Sequence, residues 1–109
     1  PALPLFTVED AEMILSQFRG YEFNQEVEIG SNLNVKFVPS GHILGASIVE
    51  FSLEGKKIVF SGDLGRYQDV IMKPPQSVDE ADFLFVESTY GNRLHGSENP
   101  IGRLQEIIN

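Results

Sequence analysis

The sequence contains no cysteine, no tryptophan and only two histidines among its 109 residues. Without cysteine, a disulfide framework and a thiolate metal site are both excluded, so any metal has to be held by His, Asp and Glu side chains. The same absence suits a cytoplasmic protein. Basic residues are scarce too: eight Lys and Arg against sixteen Asp and Glu leave a net charge of −8. That is an adverse balance for a surface that grips phosphodiester backbones unaided. No apolar stretch approaches the ~20 residues of a membrane span, and no basic-then-apolar leader is present, so no membrane partner is expected. A first residue Pro1 and a last run, "IGRLQEIIN", with no stop signal suggest a piece of a longer protein. What remains is ordinary globular composition, 41% hydrophobic and 22% charged, at a length that supports one core.

Periodicity supplies the elements. "TVEDAEMILSQFRG" predicts a helix, with Thr7 and Asp10 as its cap, Val8, Ala11, Ile14, Leu15 and Phe18 at helical spacing, and Gly20 as its end. The period then changes to two. Val27 and Ile29, then Leu33, Val35 and Phe37, predict two strands around a "GSN" turn. "SIVEFSL", with Val49, Phe51 and Leu53 on one face, and "KIVFSG" predict an antiparallel hairpin closed by "EGK". Residues 64 to 81 show no periodicity and read as a connection wandering over the surface. "DFLFV" is an uninterrupted apolar run, the pattern of a strand buried on both faces.

The hairpin carries a chemical consequence. Its strands, 47 to 53 and 56 to 61, run in opposite directions, so the start of the first lies beside the end of the second. That brings His42, in "FVPSGHILGAS" between Gly41 and Gly45, next to Asp63 in "SGDLGR". A strand 82 to 87 parallel to 56 to 61 would deliver Glu87 to the same edge. An imidazole beside a carboxylate is a donor pair that zinc accepts, and the glycines permit close backbone approach to a bound group. Two plainer readings stay open: His42 packs at a turn while Asp63 caps amides of its own loop, and Glu87 caps the loop that follows it. His95 reads equally as a solvated loop residue, and Arg66 and Arg93 either meet phosphate or make surface pairs. Two histidines cannot complete a catalytic zinc site, which takes about three protein ligands.

Taken in order, "PSGHILGAS", "IVFSGDLGR" and "ADFLFVESTYGNRLH" resemble the β-CASP group of metallo-β-lactamase-fold RNA-processing nucleases, and "PLFTVEDAEMIL" is similar to the segment before the histidine loop in bacterial members. The resemblance implies an α/β (α+β) fold, part of an αββα sandwich with a mixed, mainly antiparallel sheet and flanking helices. Residues 1–109 would be a fragment of the metallo-β-lactamase domain ending near the start of the β-CASP insertion. It further implies two zinc ions in the full-length protein, with His42 as a ligand and Asp63 as a catalytic, bridging ligand. Glu87 would be the catalytic acidic residue that pairs with a distant histidine and assists proton transfer. Ser88, Thr89, Tyr90, Gly91 and Asn92 would lie near the substrate cleft, with His95 a less certain match.

The function so implied is hydrolysis of RNA phosphodiester bonds by metal-hydroxide attack, with RNA as the partner and a homo-oligomer left open. The family's His-x-His-x-Asp-His cluster is absent from this sequence, so the fragment alone is expected to be inactive. Two other readings compete: a metallo-β-lactamase-fold hydrolase of a small ester, thioester or lactam, which "ESTYGNR" opposes, and a catalytically dead scaffold subunit.

Overall fold

The structure, a computed structural model, describes residues 4–93 and 100–108; His95 lies outside the described residues. Seven elements follow one another: α1 (Val8–Leu15), β1 (Glu26–Gly30), β2 (Leu33–Pro39), β3 (Ser47–Leu53), β4 (Lys56–Phe60), β5 (Phe83–Phe85) and α2 (Pro100–Ile108). The strands form one sheet in sequence order, with β1 to β4 antiparallel and β5 added parallel to β4. This is an α+β arrangement consistent with part of a metallo-β-lactamase sandwich. Among the described residues, no helix is long and apolar enough to cross a membrane.

Helix α1 begins as its sequence predicts. Asp10 N–H donates to Thr7 Oγ1 at 3.3 Å and Thr7 N–H donates back to Asp10 Oδ2 at 2.8 Å, a reciprocal cap. Its end differs from the prediction: the helix stops at Leu15, not near Gly20. The Ser16 hydroxyl turns back to donate to Met13 O at 3.1 Å, competing for helical backbone. Among the described residues neither helix packs against the sheet, so the apolar residues Ile14, Leu15 and Phe18 stay exposed and no packing rewards a further turn.

The sheet has two unlike faces. On one, Val38, Ile48 and Val59 form the buried core, with Leu64 and Val78 packed against it. On the other, Phe51 meets Phe60 edge-on at 6.0 Å and Phe60 stacks on Phe85 at 4.6 Å. Val49, Phe51 and Leu53 do share a face, but the deepest burial in β3 falls to the alternate residues Ile48 and Glu50. Glu50 is tolerated there because Lys36, directly across the β2–β3 ladder, reaches it at 2.8 Å.

The prediction for "DFLFV" requires correction. Phe83, Leu84, Phe85 and Val86 are each more than half exposed, because among the described residues β5 is an edge strand that pairs only with β4 and carries no layer on either face. An apolar run reports that a strand seeks cover, and the cover has to come from other elements. Residues 64–81 lack regular structure as expected, yet they are not merely superficial. Val78 joins the core, and Gln76 N–H donates to Pro39 O at 3.0 Å, fastening the connection to the end of β2.

Candidate metal and hydrolase site

The loops at one end of the sheet meet through their backbones. Gly65 N–H donates to Ser40 O at 2.8 Å, and a Cβ built on Gly65 would fall on the Gly41 carbonyl. Gly41 has φ +70°, and a Cβ there would lie 2.5 Å from Lys73 O. The missing side chains of Gly65 and Gly41 are used for loop-against-loop packing, while Gly45, on the other side of His42, has open space around it. The result is a rim on which His42, 46% exposed at its side chain, faces Asp63, 73% exposed, with Nε2 and Oδ2 3.9 Å apart.

Glu87 reaches the same rim by a different route. Its carboxylate accepts from Leu64 N–H at 3.1 Å through Oε1 and from Thr89 N–H at 3.0 Å through Oε2. Its own N–H donates to Ser61 Oγ at 3.0 Å, and that buried hydroxyl donates to Gly62 O at 2.7 Å. The Leu64 amide first, and then Thr89, hold the Glu87 carboxyl below the usual carboxylate range, with a smaller contribution from His42. Glu87 thus does what the plainer reading of it proposed, and it also ties the loop after β5 to the residue next to Asp63. For Asp63 the plainer reading fails to describe the structure: its carboxylate faces His42 in the open.

His42, Asp63 and Glu87 line an open pocket of about 450 Å³, together with Arg66, Thr89 and Tyr90. Arg93 is not among the lining residues, but its Cζ lies 5.7 Å from the centroid of the Tyr90 ring. Of the other predicted cleft residues, Ser88 accepts from Gly91 N–H through its backbone carbonyl at 3.0 Å, while Ser88 and Asn92 do not line the pocket. Ser61 and the Leu64 amide were not singled out from sequence. A small polar residue closing a hydrophobic strand, as in "IVFSG", is the one local signal that pointed to Ser61. Asp69 also lines the pocket, but its Oδ1 caps its own turn, accepting from Met72 N–H at 2.7 Å and Ile71 N–H at 2.8 Å. Those amides hold its carboxyl below the usual range.

As a metal site the donor set fits in part. One imidazole nitrogen and one carboxylate oxygen are exposed and adjacent, and both are donor types that zinc takes; neighbouring donors on a tetrahedral zinc stand roughly 3.3 Å apart for bonds of about 2.0–2.1 Å. Among the described residues, no group of three or more His, Asp or Glu side chains converges as a ligand cluster, since Glu87 is committed to amides.

No family model matches the chain. Individual proteins do. The chain is 35% identical over 92 residues to Ribonuclease TTHA0252 of Thermus thermophilus, covering 84% of this chain and 21% of that protein. It is 33% identical over 87 residues to an RNase J-like protein of Methanocaldococcus jannaschii, covering 79% of this chain and 21% of the relative. With Cleavage and polyadenylation specificity factor subunit 3 of Dictyostelium discoideum it shares 33% identity over 95 residues, 84% of this chain and 12% of the relative. The chain thus spans about a fifth of the length of the first two. With its three motifs in order along one sheet, the chain is similar over about four fifths of its length to these proteins, which are members of the β-CASP group of the metallo-β-lactamase-fold family.

Proposed function

We propose that the full-length protein of which this chain is a part is a zinc-dependent ribonuclease, and that the described rim is one wall of its active site. The observation that carries this reading is the 3.9 Å approach of His42 Nε2 to Asp63 Oδ2 on exposed loops that backbone contacts hold together. RNA as substrate is supported by the relatives named above. His42 and Asp63 would hold zinc, which when bound supplies a Lewis acid for the phosphoryl group and lowers the pKa of water. Further ligands would have to come from outside the described residues.

The chain's own residues then have distinct tasks. Asp63, negative and unencumbered by backbone amides, contributes charge as well as a donor atom. Glu87 is held ionised by the Leu64 and Thr89 amides, which unsuits it as a proton carrier and suits it to stabilising a protonated imidazole brought beside it. In this reading it assists proton transfer by supporting the group that carries the proton. Its two accepted hydrogen bonds also fix the loop on which Asp63 sits.

The test uses the full-length protein, supplied with zinc, on RNA labelled at either end. Asp63→Ala is expected to lower cleavage by at least ~10²–10³-fold, the scale on which loss of a group that stabilises developing charge is felt, with an unchanged melting temperature. Wild-type turnover in that variant would refute the role given to Asp63 and with it the reading.

A further inference from the structure

The pocket that holds the His42–Asp63 pair is also lined by residues of different chemistry. Tyr90 is 52% exposed and lines the pocket, and Arg93 lies over its ring at 5.7 Å from Cζ to centroid. Arg66 lines the same pocket, and its charge is felt by Asp69, whose own carboxylate is already occupied with the Ile71 and Met72 amides. In a chain of net charge −8, a guanidinium and a cation-backed aromatic ring beside a candidate hydrolytic centre form a notable local exception. A cation within about 6 Å of a ring face attracts it, which favours one orientation of the ring, and a ring so braced at a pocket wall is a platform for another flat group. A guanidinium alongside matches phosphate.

We propose that Tyr90, braced by Arg93, together with Arg66, forms a nucleotide subsite: the Tyr90 ring stacks on the base next to the scissile phosphodiester, and Arg66 takes a flanking phosphate. The inference deepens the ribonuclease reading and rests on it for the identity of the substrate. Stacking is indifferent to which base is presented, so this subsite would grip single-stranded RNA and confer little sequence preference. Arg93 is a positioning residue here, acting on RNA through the tyrosine.

The experiment is binding of the full-length protein to a fluorescent single-stranded oligoribonucleotide, read by anisotropy with a chelator present so that cutting does not intrude, paired with cleavage in zinc. Tyr90→Ala is expected to weaken binding about tenfold, within the range for loss of one stacked base, while Tyr90→Phe binds as wild type. An abasic nucleotide walked along the oligonucleotide should weaken wild-type binding to the same extent at one position, and there Tyr90→Ala should add nothing. Arg66→Ala should reduce the slope of log affinity against log salt by about 0.7, one phosphate contact on a single strand.

Equal losses for Tyr90→Ala on intact RNA and on every abasic RNA, or no loss at all, would overturn the stacking assignment. An unchanged salt slope would overturn that of Arg66. Binding that depends on Tyr90 without any cleavage in zinc would leave the subsite standing and remove the nuclease reading. Cleavage that is indifferent to Tyr90 would do the reverse, and a protein that binds no RNA at all overturns both.

Discussion

Two carboxylates flank β5, Asp82 before it and Glu87 after it, and each accepts a backbone amide: Lys57 N–H of β4 at 2.9 Å in the first case and Leu64 N–H of the loop after β4 at 3.1 Å in the second. The fastening is the same and the electrostatic company is not. Asp82 also takes Lys56 Nζ at 2.7 Å, while Lys57 Nζ lies 3.8 Å from Glu80, so the far end of the sheet is locally balanced. Asp82 is held below the usual carboxylate range chiefly by Lys56, and Lys56 is pushed up by Asp82. No lysine or arginine among the described residues pairs with Glu87, and Asp63 beside it faces only an imidazole. The acids at the far end of the sheet are thus matched by lysines, whereas at the rim Glu87 is held by amides and Asp63 faces His42 from an exposed position.

The contrast can be broken most severely at glycine. Gly65→Ala places a methyl on the Gly41 carbonyl; the expected outcome is about 1–3 kcal/mol of lost stability, as for overpacking, and loss of RNA cleavage because the His42 and Asp63 loops separate. Gly55→Ala at the far turn, φ +75° with open space around it, should cost roughly 1–2 kcal/mol for its left-handed backbone and leave cleavage intact. Thermal denaturation and end-labelled RNA assays on the two variants of the full-length protein decide this. Equal cleavage by both would remove the distinction between the ends.

Acid titration gives a smaller effect and sharpens the cause. The folded-state pKa values of Asp82 and Glu87 are both lowered, so each contributes stability above its unfolded value, about 3.9 for Asp and 4.3 for Glu, and loses it as pH falls through the folded value. Asp82→Asn and Glu87→Gln should each flatten the acid limb of denaturation midpoint against pH. Asp82 owes its shift first to the Lys56 hydrogen bond and least to the Lys56 charge, and Glu87 owes its shift first to the Leu64 amide, so 1 M salt, with a screening length of about 3 Å, should leave most of both contributions in place. The smallest effect concerns two serines at the rim. Ser40 Oγ is fully buried with no hydrogen-bond partner, so Ser40→Ala should be neutral or stabilising by up to ~1 kcal/mol, while Ser61→Ala, which strands the Glu87 N–H, should cost about 1–3 kcal/mol. Chemical denaturation of both reads the difference.

Much of this was legible in the residues. The Thr7–Asp10 cap is local, within one turn, and the Glu54–Gly55 connection with φ of +50° and +75° is what a two-residue hairpin demands. The meeting of His42, Asp63 and Glu87 at one edge follows from strand direction alone, so it too could be read without coordinates. What resisted reading depends on partners far apart in sequence. Nothing in "VESTY" states that Glu87 reaches Leu64, and nothing around Gly65 states that it is pressed on Gly41. Exposure of Phe83 to Val86 resisted for a different reason: burial belongs to the layers around a strand, and alternation or its absence reports only what the strand would accept.

The Ser40–Gly65 link has one more implication. The loops of His42 and Asp63 are stitched to each other, so if they hold a cation as proposed, their alignment would be completed when the chain folds instead of when an ion arrives. Capture of a cation by His42 would then present Asp63 to it without a separate search.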